Sequence, residues 1–349
     1  YSVIELAENA VMVVCGCVLI SFAHTAKDGA MFAIIAVLIS YVFSFAVSMG
    51  WYLIKGGKLV NPKPQLKPLI KASLPITAMR TSTSLLNSCV AMFLPALLSK
   101  ACGYTGSEAL ALYGTVIGMS VPMLMIPNSL IGSIAVVVAP EMSENFYAKR
   151  TELLKRDVER TIKASVLIAC VLIPVMFTLG NDIGVLFYAS ELSGAVIKRF
   201  AFMMLPMCIA MITTTILNSM NFEVKTLIYF FIGAIAMIGI IFGFTHLLGI
   251  NAYMVGLTTS FIITAALNLR LLKKTCTDIN YFGFLLRSII LCTVSCIFGH
   301  LFCNLFKSLV APIWRIVICG GAVAAFVLVA FYAMEMLSAR PLKKLFKKA

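Results

Sequence analysis

The residues best suited to chemistry form a polar stripe inside an otherwise apolar run, 74–99. Arg80 is followed there by Ser84 and Asn87, and at 3.6 residues per turn the three share one face of a helix. A guanidinium can bind a phosphate with two N–H groups at once, and hydroxyls and amides suit sugars. The stripe therefore predicts a polar binding site for an anionic ligand.

Two environments could explain a charge in this run. A charged side chain at the centre of a membrane helix costs about 2.5–3.5 kcal/mol, so Arg80 should face protein or a water-filled cavity. Alternatively, Arg80 lies only about 9 Å from the start of the run and could extend to the headgroups. Because Ser84 and Asn87 continue the stripe deeper than such an extension requires, the sequence favours the cavity.

A second stripe places Thr214 and Asn218 on one helix face. Such residues either bond neighbouring helices in a membrane or line a polar cavity, and the pattern alone leaves both roles open. The run 110–138 contains Pro127 followed by Asn128. Proline removes a helical hydrogen bond, so we expect a kink there with a gating or structural role.

Other kinds of site have little support in the sequence. The eleven cysteines and three histidines show no metal-binding spacing, so we expect no metal and no cofactor. Catalytic nucleophile motifs, phosphate-binding glycine loops and paired carboxylates are also missing, and we expect no enzyme. Glu8 is a further charge at membrane level, near the start of the first apolar run, and we include it as a gating or structural candidate.

The elements that carry these residues are membrane helices. The chain is 61% hydrophobic and 12% charged, about half the charge of a soluble protein. About 20 helical residues cross a hydrocarbon core of about 30 Å, and the sequence predicts about ten such spans. We place them at 2–23, 30–54, 74–99, 110–138, 161–180, 200–220, 226–247, 251–272, 281–305 and 311–336.

Basic residues predict the orientation of these spans. Of the 28 lysines and arginines, 21 fall in every second gap between the spans or within the span ends that border those gaps. The positive-inside rule assigns those gaps and both ends of this chain to the cytoplasm. The net charge of +14 is then explained by topology and by contact with anionic lipids, so we expect no nucleic-acid partner.

Two segments between the spans have distinct compositions. Residues 57–73 are rich in proline and lysine, which predicts a non-helical cytoplasmic connector. Residues 140–163 mix both charges with apolar residues at helical spacing, which predicts an amphipathic helix on the membrane surface.

Four motifs of the chain form a recognisable set: IELAENAVMVV (4–14), LPITAMR (74–80), IPNSLIGSIAVVVAPEMSE (126–144) and TTILNSMNF (214–222). Together they resemble the MATE-like polysaccharide and lipid-linked oligosaccharide exporter superfamily, in its sporulation-protein and lipid II flippase branch. The first is similar to the family's EQxxR helix, with Glu8 at its glutamate but with Asn9 and Met12 replacing the glutamine and arginine.

The resemblance implies two six-helix lobes around a cavity, with two further helices, fourteen spans in all. On this scheme the chain is N-terminally truncated and lacks the first four. Residues 1–56 would be the last two helices of the first lobe, and 57–73 would connect it to the second lobe. Residues 74–274 would form the second lobe, and 275–349 would form the two extra helices and a basic tail. The implied function is alternating-access export of a lipid-linked oligosaccharide or a polysaccharide or peptidoglycan precursor across the cytoplasmic membrane, with possible ion coupling.

Two other functions stay open. A multidrug and toxin extrusion antiporter has a similar fold, but it should carry a carboxylate inside the membrane for coupling ions and cationic drugs. The second lobe has no such group at mid-membrane, which lowers this interpretation. A non-transporting membrane assembly protein is the third possibility.

Overall fold

A computed structural model describes residues 2–23, 25–58, 63–275, 281–306 and 312–333. Throughout these ranges every regular element is a helix, and ten helical segments are long and apolar enough to cross a membrane. The predicted fold class is therefore confirmed: this is an all-α polytopic membrane protein. The chain divides between Lys71 and Ala72 into two compact units.

The first unit contains two neighbouring helices, α1 (Ser2–Ile20) and α2 (Ala26–Ile54). They pack where a Cβ added to Gly16 would lie 3.9 Å from that of Ala36. α2 is one of the ten candidate spans. α1 begins at Ser2 as predicted and ends at Ile20, three residues before the predicted end of the first span.

The next helix corrects the predicted connector. α3 runs from Lys63 to Cys102, so the expectation of a non-helical segment over 57–73 is wrong from Lys63 onward. The prolines in the segment suggested irregular structure. However, the first N–H groups of a helix have no intrahelical partner, so a proline such as Pro64 in the first turn removes no helical hydrogen bond.

The second unit is a bundle built from α3 and the helices that follow it. These are α4 (Gly106–Thr115), a π-helical turn (Val116–Ser120), α5 (Val121–Leu124), α6 (Ile126–Tyr147), α7 (Thr151–Tyr188), α8 (Glu191–Phe200), a 3₁₀ turn (Ala201–Met203), α9 (Met204–Ser219), α10 (Glu223–Leu248), α11 (Asn251–Thr275), α12 (Tyr281–Leu305) and α13 (Pro312–Ala333).

One membrane crossing in this bundle is interrupted. The candidate spans Gly106–Leu124 and Ile126–Tyr147 are separated by Met125 alone. Antiparallel helices need a connection of about two to five residues, so a single residue cannot reverse the chain. The two segments are therefore successive parts of one crossing. Ten candidate spans were expected and ten are present. However, two of the ten are the parts of this interrupted crossing, and α1 is not among them.

α7 lies at the centre of the bundle and corrects a second expectation. Residues 151–163 continue directly into the following span as a single helix of 38 residues, instead of lying on the membrane surface as a separate helix. The reason is that their apolar residues extend the apolar face of the span, and the whole face is buried in protein. Its members are Leu154, Val158, Ile162, Val166, Ala169 and Ile173, each at most 5% exposed.

Glycines allow α8 to approach α7 closely. A Cβ on Gly184 would overlap the backbone nitrogen of Gly194, and a Cβ on Gly180 would lie 2.8 Å from the backbone nitrogen of Lys198. Small residues are the usual means of close helix contact in membranes, where apolar burial gives little driving force. These two glycines therefore hold the backbones of α7 and α8 in contact.

An ion pair joins α7 to α13. The guanidinium of Arg315 donates a hydrogen bond to Asp182, and the side chains are 13% and 24% exposed. Both residues lie near helix ends, six residues from the end of α7 and three from the start of α13. The pair therefore joins two helices that are far apart in sequence.

Candidate functional site

The second unit contains a cavity of about 740 Å³ whose wall is mostly apolar and carries a set of polar side chains, and we call it the polar cavity after them. Its walls come from α3, the interrupted crossing, α9, α10 and α11. Among the lining residues, all of which the structure describes, Arg80 carries the only charge. Amides and hydroxyls accompany it on several helices, including Asn87, Asn128, Thr214, Asn218, Ser260 and Thr264.

One face of α3 forms a wall of this cavity and changes its environment along the helix. Arg80, Thr83 and Asn87 on this face are exposed, whereas Leu94 and Leu98, further along it, are fully buried. The part of α3 that contains Leu94 and Leu98 therefore packs into the bundle, whereas the part from Arg80 to Asn87 is exposed on this face. The cavity opens beside Arg80.

Contacts with α10 fix the packed half of α3. The rings of Phe93 and Phe242 have their centroids 5.9 Å apart, and the thiol of Cys102 donates to the carbonyl of Thr245 over 3.4 Å. These contacts join α3 to α10 beyond the cavity wall.

The structure places Arg80 and Asn87 on the cavity wall, but Ser84 is not among the lining residues. At about 100° per residue, Thr83 lies about 60° to one side of Arg80 and Ser84 about 40° to the other. The cavity is on the side of Thr83, together with Met79. This corrects the predicted stripe at one position, because the sequence shows which residues share a face but not where its centre points.

The α9 stripe both lines the cavity and bonds to neighbouring helices. Thr214 accepts a hydrogen bond from Nδ2 of Asn268 on α11 at 2.9 Å. Asn218 accepts one from the hydroxyl of Thr226 on α10 at 2.7 Å. Thr214 and Asn218 are also lining residues, so the two roles left open by the sequence are combined.

Asn268 is a polar residue that sequence reasoning missed. It is fully buried, and its Nδ2 also donates to the hydroxyl of Thr213 at 3.1 Å. Its Oδ1 is buried without a hydrogen-bond partner among the described residues. A lone asparagine in an apolar helix is the signal that could have identified it, because such a side chain seeks a partner helix.

The interrupted crossing lines the cavity along its irregular part, which contains the π-helical turn and the break at Met125. Its π-helical turn is held by Ser120, whose hydroxyl lies 3.2 Å from the carbonyl of Ser193 on α8. The helix then breaks at Met125, with φ −90° and ψ 0°, two residues before the buried Pro127. Asn128 follows, donating to the sulfur of Met125 at 3.2 Å and lining the cavity.

The wall formed by α10 and α11 is tightly packed. A Cβ on Gly233 would lie 2.7 Å from the hydroxyl oxygen of Ser260, and one on Gly256 would lie 3.0 Å from the carbonyl of Met237. The remaining predicted residue, Glu8, lies on α1 in the first unit and is partly exposed, whereas the cavity walls come from the second unit.

No protein-family model matches the chain, and no curated protein matches it either. The functional interpretation of the cavity therefore depends on its own chemistry and on the motif resemblance described above.

Proposed function

We propose that this protein exports or flips a lipid-linked oligosaccharide, or a polysaccharide or peptidoglycan precursor, across the cytoplasmic membrane. The observation that carries the proposal is the composition of the cavity wall: one guanidinium, with amides and hydroxyls and without a carboxylate among its lining residues. The resemblance to the exporter superfamily points to the same class of substrate.

The chemistry of the wall supports an anionic, sugar-bearing substrate. Arg80 can bind a pyrophosphate through two N–H groups, and Asn87, Asn128 and Thr215 offer hydrogen bonds of the kind that sugar hydroxyls use. A cation antiporter needs a negative group to attract its drug and its coupling ion. The lining residues supply none, so the wall does not favour that alternative.

Alternating access is the mechanism that best fits this geometry. The cavity opens beside Arg80, and the sequence just before this residue carries the basic residues Lys63, Lys67 and Lys71. Under the positive-inside rule this segment and both ends of the chain are cytoplasmic, so the proposed conformation faces inward. Movement of the N-terminal half of α3 against the interrupted crossing would close this opening, and such broken helices often flank transporter sites.

Arg80 is the residue that tests the proposal. In proteoliposomes containing a fluorescent polyprenyl-pyrophosphate-linked saccharide, an impermeant quencher reports how much probe has crossed the bilayer. Arg80→Ala should abolish crossing, and Arg80→Lys should restore only part of it because an ammonium cannot bind the phosphate with a planar fork. Ser84→Ala is the matched control on the same helix and should transport normally.

Two results would contradict the proposal. One is normal crossing of the probe with Arg80→Ala in protein that folds with unchanged thermal stability. The other is uptake of a cationic dye, driven by a proton or sodium gradient, in vesicles that do not move the saccharide probe.

A further inference from the structure

A second concavity lies on the other side of α9 and α11 from the polar cavity. It is a groove of about 540 Å³ between the α8–α9 segment, α11 and α12, and its walls are almost wholly apolar. Phe202, Ile262, Ala266 and Ile289 line it and are themselves exposed, so the groove opens sideways. In a membrane protein this direction is the lipid.

The two hydroxyls in the groove are engaged within their own helix. Thr258 donates to the carbonyl of Met254 at 2.7 Å, and Thr259 donates to the carbonyl of Val255 at 2.8 Å. The wall of α11 therefore offers no hydroxyl proton to an occupant, and the groove suits a hydrocarbon chain.

The groove has one charged end. Arg199 lines it, is exposed, and donates a hydrogen bond to Oδ1 of Asn251 at 3.1 Å. Arg199 precedes the end of α9 at Ser219 by about 30 Å of helix rise, which is about the thickness of the hydrocarbon core. On this spacing we infer that the guanidinium lies near headgroup level, at one end of an apolar groove.

We propose that this groove binds an anionic glycerophospholipid, with its phosphate at Arg199 and an acyl chain along α11. A cation above an apolar groove complements the charge and shape of such a lipid. Phospholipid is also the amphiphile in greatest excess around the protein, so mass action favours it at a site that opens sideways. The bond of Arg199 to Asn251 holds the guanidinium over the groove.

The site is separate from the proposed transport cavity. α9 and α11 contact each other between the groove and the cavity, through the hydrogen bonds of Asn268 to Thr213 and Thr214. The proposal therefore does not rest on the identity of the transported substrate.

Native mass spectrometry of the purified chain in detergent, titrated with dioleoylphosphatidylglycerol, tests the site. Arg199→Gln should weaken binding of this lipid about tenfold, the loss expected for one charge-assisted contact. Lys198→Gln is the matched control: it removes the same charge from the next residue, whose ammonium lies over the ring of Phe177 outside the groove. Its binding should equal that of the parent protein.

A second pair of variants tests the apolar part of the groove. Ala266→Phe fills it and should abolish the specific lipid adduct, whereas Ala325→Phe, at an exposed alanine on α13 outside the groove, should not. Dioleoylphosphatidylcholine should bind more weakly than the glycerol lipid because its headgroup has no net charge.

Three outcomes would overturn the proposal. Equal losses with Lys198→Gln and Arg199→Gln would mean general charge attraction. Unchanged binding in folded Ala266→Phe would mean that the lipid lies elsewhere. Displacement of the phospholipid by a lower concentration of polyprenyl phosphate would mean that the groove holds an isoprenoid carrier.

Discussion

At the scale of single residues, two arginines in membrane helices, Arg80 and Arg315, have opposite environments. Arg315 is largely buried and paired with Asp182, whereas Arg80 is exposed on the wall of a cavity. Both arrangements keep a guanidinium away from hydrocarbon, where it would be costly. The paired arginine is therefore expected to serve stability, and the exposed one is available to a ligand.

Replacing Arg315 tests whether its ion pair stabilises the protein. Arg315→Ala leaves Asp182 without its guanidinium partner in a largely buried position and should destabilise the protein by about 2 kcal/mol, less than the 3–5 kcal/mol of a fully buried pair. A lowered thermal unfolding temperature in detergent would show this loss, and the double variant Asp182→Asn/Arg315→Gln should recover most of it.

The control is an exposed ion pair. Arg150 and Glu144 lie 3.2 Å apart with side chains 53% and 69% exposed, so Arg150→Ala should cost less than about 1 kcal/mol. Equal destabilisation by Arg150→Ala and Arg315→Ala would contradict a specific role for the buried pair.

At the scale of helices, backbone contact depends on a few glycines. The contact of Gly184 with Gly194 brings α8 against α7, and that of Gly233 with Ser260 brings α10 against α11. α8 in turn holds the irregular part of the interrupted crossing through the bond between Ser120 and Ser193. Close packing of α7 with α8 therefore extends to the cavity wall.

Gly184→Ala should disrupt this contact. The new methyl would overlap backbone atoms of Gly194, which cannot move aside as a side chain can, and overpacking of this kind costs about 1–3 kcal/mol or more. The unfolding temperature should fall. Gly239→Ala on α10 is the control, because its Cβ would meet open space and alanine favours helix by about 1 kcal/mol. A stable Gly184→Ala would show that α7 and α8 are not held this closely.

At the scale of the whole second unit, the cavity lies beside a part of α3 that is exposed, and the helix packs into the bundle only further along. The same face carries exposed Thr83 and Asn87 and buried Leu94 and Leu98. One cysteine-labelling experiment can test both this packing of α3 and the orientation of the chain in the membrane.

The experiment uses single cysteines in a variant whose eleven native cysteines are replaced by serine. Each cysteine should react according to its burial in the bundle and to the side of the membrane on which it lies. Thr83→Cys should react readily with a small hydrophilic maleimide, and Leu94→Cys should not. In sealed cells, Arg150→Cys should be protected from an impermeant reagent and Tyr104→Cys should react. Equal reactivity at 83 and 94, or protection at 104 with reaction at 150, would contradict the packing or the orientation.

The sequence predicts some levels of this organisation better than others. Helices and spans follow from apolar run length, and polar side chains such as Asn87 and Asn218 must find protein or water in a membrane, so their inward placement could be anticipated. The exact face of α3 could not, because its neighbours decide whether Thr83 or Ser84 points to the cavity. The helical start at Lys63 was obscured by prolines.

The pair formed by Asp182 and Arg315 was hidden for another reason: its members are 133 residues apart, and nothing local in either helix indicates its partner.

That separation has a consequence for how the protein is made. At about 5–20 residues per second, a ribosome needs about 7–27 seconds to proceed from Asp182 to Arg315. During that interval the carboxylate of Asp182 has no guanidinium to join, so it stays with water or headgroups at the edge of the bilayer. The end of α7 packs against α8 first, and its bond to α13 forms only after Arg315 has been synthesised. A nascent chain stopped before Arg315 therefore carries Asp182 without the ion pair that the finished protein supplies.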